Sequence, residues 1–485
     1  GYQKESQRIT QAVAERYGNN SFIQAWQTDN EFGCHETTYS WCQSSLQEFR
    51  NWLKVKYQSI EKLNEEWGNV FWSMEYSSFE DIDLPNLTVT EANPAHHFAF
   101  RRFSSDQVKN FNSQQVKIIN QFSPNRPVSH NYMGHFVEFD HYKVSEDLDI
   151  AAWDSYPLGF LQNMQSIARE DKKLLFECYN IGDPDFQAYH HDLYRGMGRL
   201  WVMEQQPGPV NWAKYNPVPL PGAVRMWTWE AFAHDAEVVS YFRWRQAPYA
   251  QEQMHAGLMH CDNSPAMGSK EALQVSKEIQ EIKLPPTQKA DIALLHDYEA
   301  CWMTEIDGQT QDFHYTRLML DFYKSIRING GSLDIVGKNT DFTGYKLIII
   351  PSFVHLDEEI FSRITLSGAK ILAGPRTGVK TNGFQIPHNL SLEGLGFKVT
   401  RVDALPQELP IEVEWKGIKG HINVWREQGQ CSGTSDGKGI DDMPVVTTGN
   451  KGSYLCGWPD ENLLKAIMKE QMLSAGLTTV SLPQY

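Results

Sequence analysis

Asn30-Glu31 closes an aromatic-rich apolar run, residues 22–29 (FIQAWQTD), and Glu204 closes another, Leu200-Trp201-Val202-Met203. Two carboxyl groups carried to the ends of two strands suit cleavage of a glycosidic bond. One, protonated, gives its proton to the leaving oxygen; the other, ionised, attacks the anomeric carbon. A gap of about 5–5.5 Å supports double displacement with retention, and a wider gap admits water and inverts. The environment must hold the two pKa values apart. Once the nucleophile's charge is consumed, the acid's pKa falls and it returns as base on water. An Asn-Glu pair by itself also fits a surface or ion-paired glutamate. Its place behind a buried-strand pattern gives it weight, and the same holds for Glu204.

The chain has 485 residues, among them 15 Trp, 20 Tyr and 24 Phe, 12% aromatic. Sugars present apolar C–H faces to such rings, while their hydroxyls seek amides, carboxylates and His. Trp72 lies in the loop NVFWSMEY, and Trp212 eight residues beyond Glu204 in PGPVNW. Each fits a sugar-stacking wall or a plug for a minor core. Glu252 and His255 sit on the loop beyond the last strand of this region, which ends at Arg243-Trp244-Arg245. His96-His97, His190-His191 and His255/His260 include no HExxH spacing, so no metal and no cofactor is expected. Glu230 and Glu237 fall on the helix before the last strand, pointing away from the strand ends, and Glu177 and Glu138 are rim positions. Seven scattered Cys with no CxxC pair argue against a disulfide framework and give a mild preference for a reducing compartment. A cytoplasmic location is the expectation.

Strands at 22–29, 127–131, 150–154, 200–203 and 238–242 alternate with helices at 6–17, 44–58, 106–122, 185–197 and 225–234. That alternation predicts a parallel sheet with βαβ crossovers. Long loops after each strand favour a (β/α)8 TIM barrel, whose strand ends form the active-site face. The five strands read as strands four to eight. A closed barrel needs eight strands and the helix at 6–17 would precede the fourth, so the first three βα units are expected to be absent. After Leu284-Pro285-Pro286-Thr287, a plausible linker, a second α/β pattern runs from 290 to 373. Its dense Ile and Leu suit a doubly wound sheet buried on both faces. Shorter β segments at 410–457 and a helix at 460–475 follow. The division is a barrel over 1–286 and a second domain over 287–485. Net charge is −16, a poor basis for binding nucleic acid or an anionic membrane. No apolar run approaches the ~20 residues of a membrane helix.

WQTDNEFGCH at 26–35, LNEEWGNVFWSMEY at 63–76, HHDLYRGMG at 190–198, WVMEQQPGPVNW at 201–212 and YFRWRQAPYAQEQMH at 241–255 together resemble glycoside hydrolase family 42, the β-galactosidases. The resemblance implies a retaining mechanism on terminal β-D-galactosides. It implies Glu31 as acid/base and Glu204 as nucleophile, with Asn30, Trp72, Trp212, Glu252 and His255 contacting galactose. An Asn before the acid/base is expected to bind the 2-hydroxyl. Some members hold zinc with CxCxxC; the aligned SWCQSS at 40–45 keeps only Cys42, so no zinc is expected. The second domain resembles an amidotransferase-like α/β domain that trimerises relatives, and implies a homotrimer. Cys301 and Cys456 lack the tight Gly-flanked turn of an amidotransferase nucleophile. An α-L-arabinopyranoside, differing from galactose only at the C5 substituent, is an open alternative substrate, and a non-catalytic carbohydrate-binding barrel is an alternative of another class.

Overall fold

The computed structural model describes residues 1–164, 172–285, 287–306, 308–388, 393–480 and 482. Pro286 of the expected linker and residues 483–485 lie outside these. Contacts divide the chain into two compact units, Gly1–Thr37 with Gln107–Lys289, and Thr38–Asp106 with the residues from Ala290 onward. Residues 38–106, which the sequence reading assigns to the barrel, thus pack with the second unit.

The first unit is a five-stranded sheet: β1 (Trp26–Gln27), β2 (Val128–Met133), β3 (Ile150–Ser155), β4 (Arg199–Gln205) and β5 (Val238–Tyr241). The strands pair in chain order and all in parallel. Consecutive parallel neighbours with helical crossovers are barrel architecture. β3 is buried along its whole length, as the apolar run IAAW requires. The helix Pro184–Arg195 begins at the Asp183 cap and packs against it, burying every residue from Phe186 to Tyr194. The 22–29 run forms only two residues of ladder, because its preceding carbonyls go elsewhere. Arg126 donates to the carbonyls of Gly18, Asn20 and Ile23, which takes that stretch out of the sheet. The helix expected from 106 begins twelve residues earlier, at Pro94.

In the second unit β6 (Ile292–Leu295), β7 (Leu333–Val336), β8 (Leu347–Ile350) and β9 (Lys370–Ala373) are parallel, in spatial order β7-β6-β8-β9. This is a doubly wound order with the switch point between β6 and β8. β6 and β8 are buried at every residue. The segments at 410–457 are not separate pieces. β10 (Phe397–Ala404), β11 (Ile411–Trp415), β12 (Ile418–Cys431), β13 (Thr434–Gly439), β14 (Pro444–Thr448) and β15 (Ser453–Leu455) extend the same sheet, joined through β15 and β9. The sequence hides this because the added strands pair antiparallel with one another and, as β11 does, alternate buried and exposed residues.

Arg102 explains why residues 38–106 belong here. Its guanidinium forks onto Glu299 at 2.9 and 2.7 Å, with both side chains nearly fully buried. Burial pushes the Glu299 carboxyl up, but Arg102, His355 and Lys338 outweigh this and hold it well below the usual carboxylate range. Phe98 packs on Phe384 beside it. Removing one partner of a buried pair strands the other's charge. Arg102→Ala is therefore expected to destabilise this unit by about 3–5 kcal/mol, read as a lower midpoint in chemical denaturation; an unchanged midpoint would refute the keystone role.

Candidate active site

Asp154 and Glu204 are register partners across β3 and β4, so their side chains leave the sheet side by side. The register shifts between Trp153 and Asp154, and β4 accommodates the extra residue at Met203. Such a bulge re-aims the residue that follows it. Glu31 arrives from the loop after β1. One carboxyl oxygen from each of Glu31, Asp154 and Glu204 lies within 4.8 Å of the others. The two glutamates are half-buried and Asp154 is fully buried.

The loop that delivers Glu31 is strained. Asp29 and Glu31 have φ of 43° and 45°, in the left-handed region that non-Gly residues avoid. Two β2 side chains hold it there. The Glu31 N–H donates to Asn131 Oδ1 at 3.2 Å, and the Phe32 N–H to His130 Nε2 at 3.0 Å. His130 Nδ1 lies 2.7 Å from the Thr28 carbonyl and must donate to it, which leaves Nε2 as the acceptor. Burial depresses the imidazole pKa to about 4, so the ring is neutral and this tautomer persists. Asn131 then spends its amide hydrogens on Asn30 Oδ1 at 2.9 Å and Asp154 Oδ2 at 2.8 Å. Asn30 in turn reaches Glu31 Oε2 at 3.5 Å.

Tyr156, directly beyond β3, donates its hydroxyl to Glu204 Oε2 in a short contact. Burial lifts the Glu204 carboxyl to about 7, aided by the charges of Glu31 and Glu252 and opposed by the Tyr156 hydroxyl. Burial also lifts Glu31, against contacts from Asp154 and Cys34. A fourth carboxyl group, Glu252, outside this cluster, thus acts on both glutamates. It is exposed and is tied by Arg243 Nη1 at 3.1 Å.

Tyr156 is also the hub of an aromatic wall. Trp212 meets it edge-on at 5.6 Å and His255 at 5.7 Å. Gly159 makes the Trp212 position possible, since a Cβ there would sit 2.4 Å from the indole. Trp212 remains 41% exposed, enough to offer a face, whereas His255 is buried. Asn30, Glu31, Glu204, Trp212, Glu252 and His255 are thus joined in one region of the first unit. Trp72 stands in the second unit, on the turn Phe71–Ser73 with φ of 57°, and is 66% exposed. His190 and His191, considered for a metal, instead support β3: His190 stacks on Trp153 at 5.2 Å, and His191 accepts from the Trp153 indole at 3.1 Å. Glu237 is engaged by Arg199 and Trp201.

His130, Asn131 and Asp154 fall at the ends of the strands read from the sequence, where no role is assigned to them, and Tyr156 lies just beyond one of those ends. The signal available was the strand-end rule itself; what it lacked was register. The three-carboxyl cluster is also of a size to admit a cation, but its surroundings are hydrogen-bond donors, the Asn131 amide and Tyr156 hydroxyl, which suit a cluster that shares protons. A second cluster, Asp297, Glu299 and His355, has its charge balanced by Arg102 and Lys338.

The β-galactosidase family profile matches residues 1–282, and the β-galactosidase trimerisation-domain profile matches 290–478. A Thermus thermophilus β-galactosidase is 44% identical, aligned over 100% of this chain and 75% of its own length. A Halorubrum lacusprofundi β-galactosidase is 37% identical over 98% of this chain and 72% of its own. The crystal structure of the β-galactosidase of the psychrophilic Marinomonas ef1 superposes with a TM-score of 0.96 at 45% identity, covering 100% of this chain and 76% of that one. By the match of both domains, this chain belongs to the β-galactosidases of glycoside hydrolase family 42.

Proposed function

We propose that the chain releases terminal β-D-galactose from β-galactosides by retaining double displacement, with Glu31 as acid/base and Glu204 as nucleophile. The observation that carries the reading is the separation of the two glutamates, with carboxyl oxygens within 4.8 Å. That favours the retaining spacing of about 5–5.5 Å between carboxyl groups over the inverting range of about 6.5–9.5 Å. The galactoside substrate and the hydrolase class follow from the relatives that match the whole chain. The five parallel strands correspond, in this reading, to strands four to eight of the eight-stranded barrel.

In the first step a Glu204 oxygen attacks the anomeric carbon while Glu31 passes its proton to the departing oxygen. In the second, Glu31 takes a proton from water, which attacks the same carbon and frees Glu204. Burial lifts both carboxyls, which favours the protonated form of each, and their titration steps belong to the pair rather than to either residue. Tyr156 steadies Glu204 in its ionised form and fixes its rotamer. Trp212 supplies an apolar face for the sugar ring, Asn30 its 2-hydroxyl contact, and Glu252 and His255 polar partners for the remaining hydroxyls. Trp72 is assigned to galactose by its motif. The trimerisation profile supports assembly, and a homotrimer is the assembly proposed.

Glu204→Ala is expected to abolish turnover, with azide restoring part of it on an activated aryl galactoside; full activity would remove Glu204 as nucleophile. Glu31→Ala is expected to slow poor leaving groups by about 10²–10⁴-fold and good ones far less. Equal slowing of both would argue against an acid role. Comparing aryl galactoside with aryl α-L-arabinopyranoside separates the two substrate readings. Light scattering is expected to give the mass of three chains, and a monomer mass would exclude the trimer.

A further inference from the structure

Asp154 is the one member of the carboxyl cluster with no exposed surface, at 0%. Its Oδ2 accepts the Asn131 amide at 2.8 Å, and its Oδ1 is buried with no donor directed at it. As a carboxylate it would place an unsatisfied negative oxygen between two other carboxyl groups, the costliest arrangement available to a buried polar atom. As an acid the carboxyl becomes a donor, and an oxygen of Glu31 lies within 4.8 Å of one of its oxygens. We infer that Asp154 works as a neutral carboxylic acid whose Oδ1 proton is donated to Glu31, making it a positioning residue for the acid/base.

The groups that face Asp154 are Glu31 from the loop after β1, Asn131 from β2, Glu204 from β4, Tyr156 beyond its own strand, and Tyr194 from the helix behind. Burial first, then the charges of Glu204 and Glu31, push its carboxyl well above the ordinary range. The contact with Glu31 raises Asp154 and lowers Glu31. Three carboxyls at this spacing do not all ionise, and the deepest one keeps its proton.

The consequence lies in the glycosylation step. Before it, Glu31 carries its own proton on one oxygen and accepts the Asp154 proton on the other. As Glu31 releases its proton to the leaving oxygen it becomes a carboxylate, and the Asp154 bond becomes charge-assisted and stronger. No proton leaves Asp154, so the step balances as before. The bond favours the transition state because it strengthens there.

This inference rests on Glu31 as acid/base, and the test separates the two. Infrared spectra of the chain carrying ¹³C-carboxyl aspartate are expected to show a protonated-carboxyl C=O band at neutral pH. That band should vanish in Asp154→Asn or, should that variant not fold, in Asp154→Ser. Asp154→Asn, neutral like the acid it replaces, is expected to keep kcat within about tenfold and both limbs of the kcat/KM pH profile in place. Asp154→Ala should lose about 10²-fold in kcat on poor leaving groups with KM little changed. An ionised Asp154 would instead give no protonated band, and Asp154→Asn would move both limbs down by about a unit or more, since a neighbouring negative charge is lost. Either result overturns the inference. Failure of the Glu31 assignment would look different: the infrared band would persist, while Glu31→Ala slowed good and poor leaving groups alike.

Discussion

Carboxyl groups close enough to work on one anomeric carbon repel each other whenever both are ionised, and partial burial sharpens that repulsion. The site is built around this constraint. Among the groups bonded directly to the cluster are the Asn131 amide, the Asn30 amide and the Tyr156 hydroxyl, all neutral donors. The Arg243 cation is held one step out, on Glu252. A cation bonded to Glu31 would fix it as a carboxylate and remove the acid proposed for it. Neutral donors orient the oxygens and leave the proton free to move.

Orientation has a backbone cost, stored in the loop after β1. Left-handed φ values at Asp29 and Glu31 are worth about 1–3 kcal/mol each against the fold. They persist because β2 overdetermines the loop through His130 and Asn131. His130 does so only as the neutral tautomer, and complete burial keeps it neutral. Behind β3, Trp153 is wedged among His190, His191 and Tyr194, which fixes the strand that carries Asp154. The buried polar helix Pro184–Arg195 is thus a rigid backing for the site.

The second unit shows a different use of buried charge. At its strand ends, where doubly wound sheets commonly bind ligands, an ion-pair network of Asp297, Glu299, His355, Lys338 and Arg102 occupies the position. Cys301 lies on the helix Tyr298–Ile306, fully buried, its thiol pushed well up by burial. That is the opposite of what a nucleophilic cysteine needs. The trimerisation-domain profile matches residues 290–478 of this unit.

Much was legible in the residues alone. Hydrophobic period and strand–helix alternation located nearly every strand of the parallel sheets, because a strand buried on both faces must be apolar throughout. The strand-end rule picked out Glu31 and Glu204, and the motifs around them named the family. Other features were decided only by tertiary structure. The bulge at Met203 sets which way Glu204 points. Register across β3 and β4 puts Asp154 beside it, and β2 holds Glu31 from a hundred residues away. Arg102 draws residues 38–106 into the second unit. Each of these depends on pairing between segments distant in sequence. A side chain's type shows what it can do, but its neighbours set its proton, and those neighbours are chosen by register and packing.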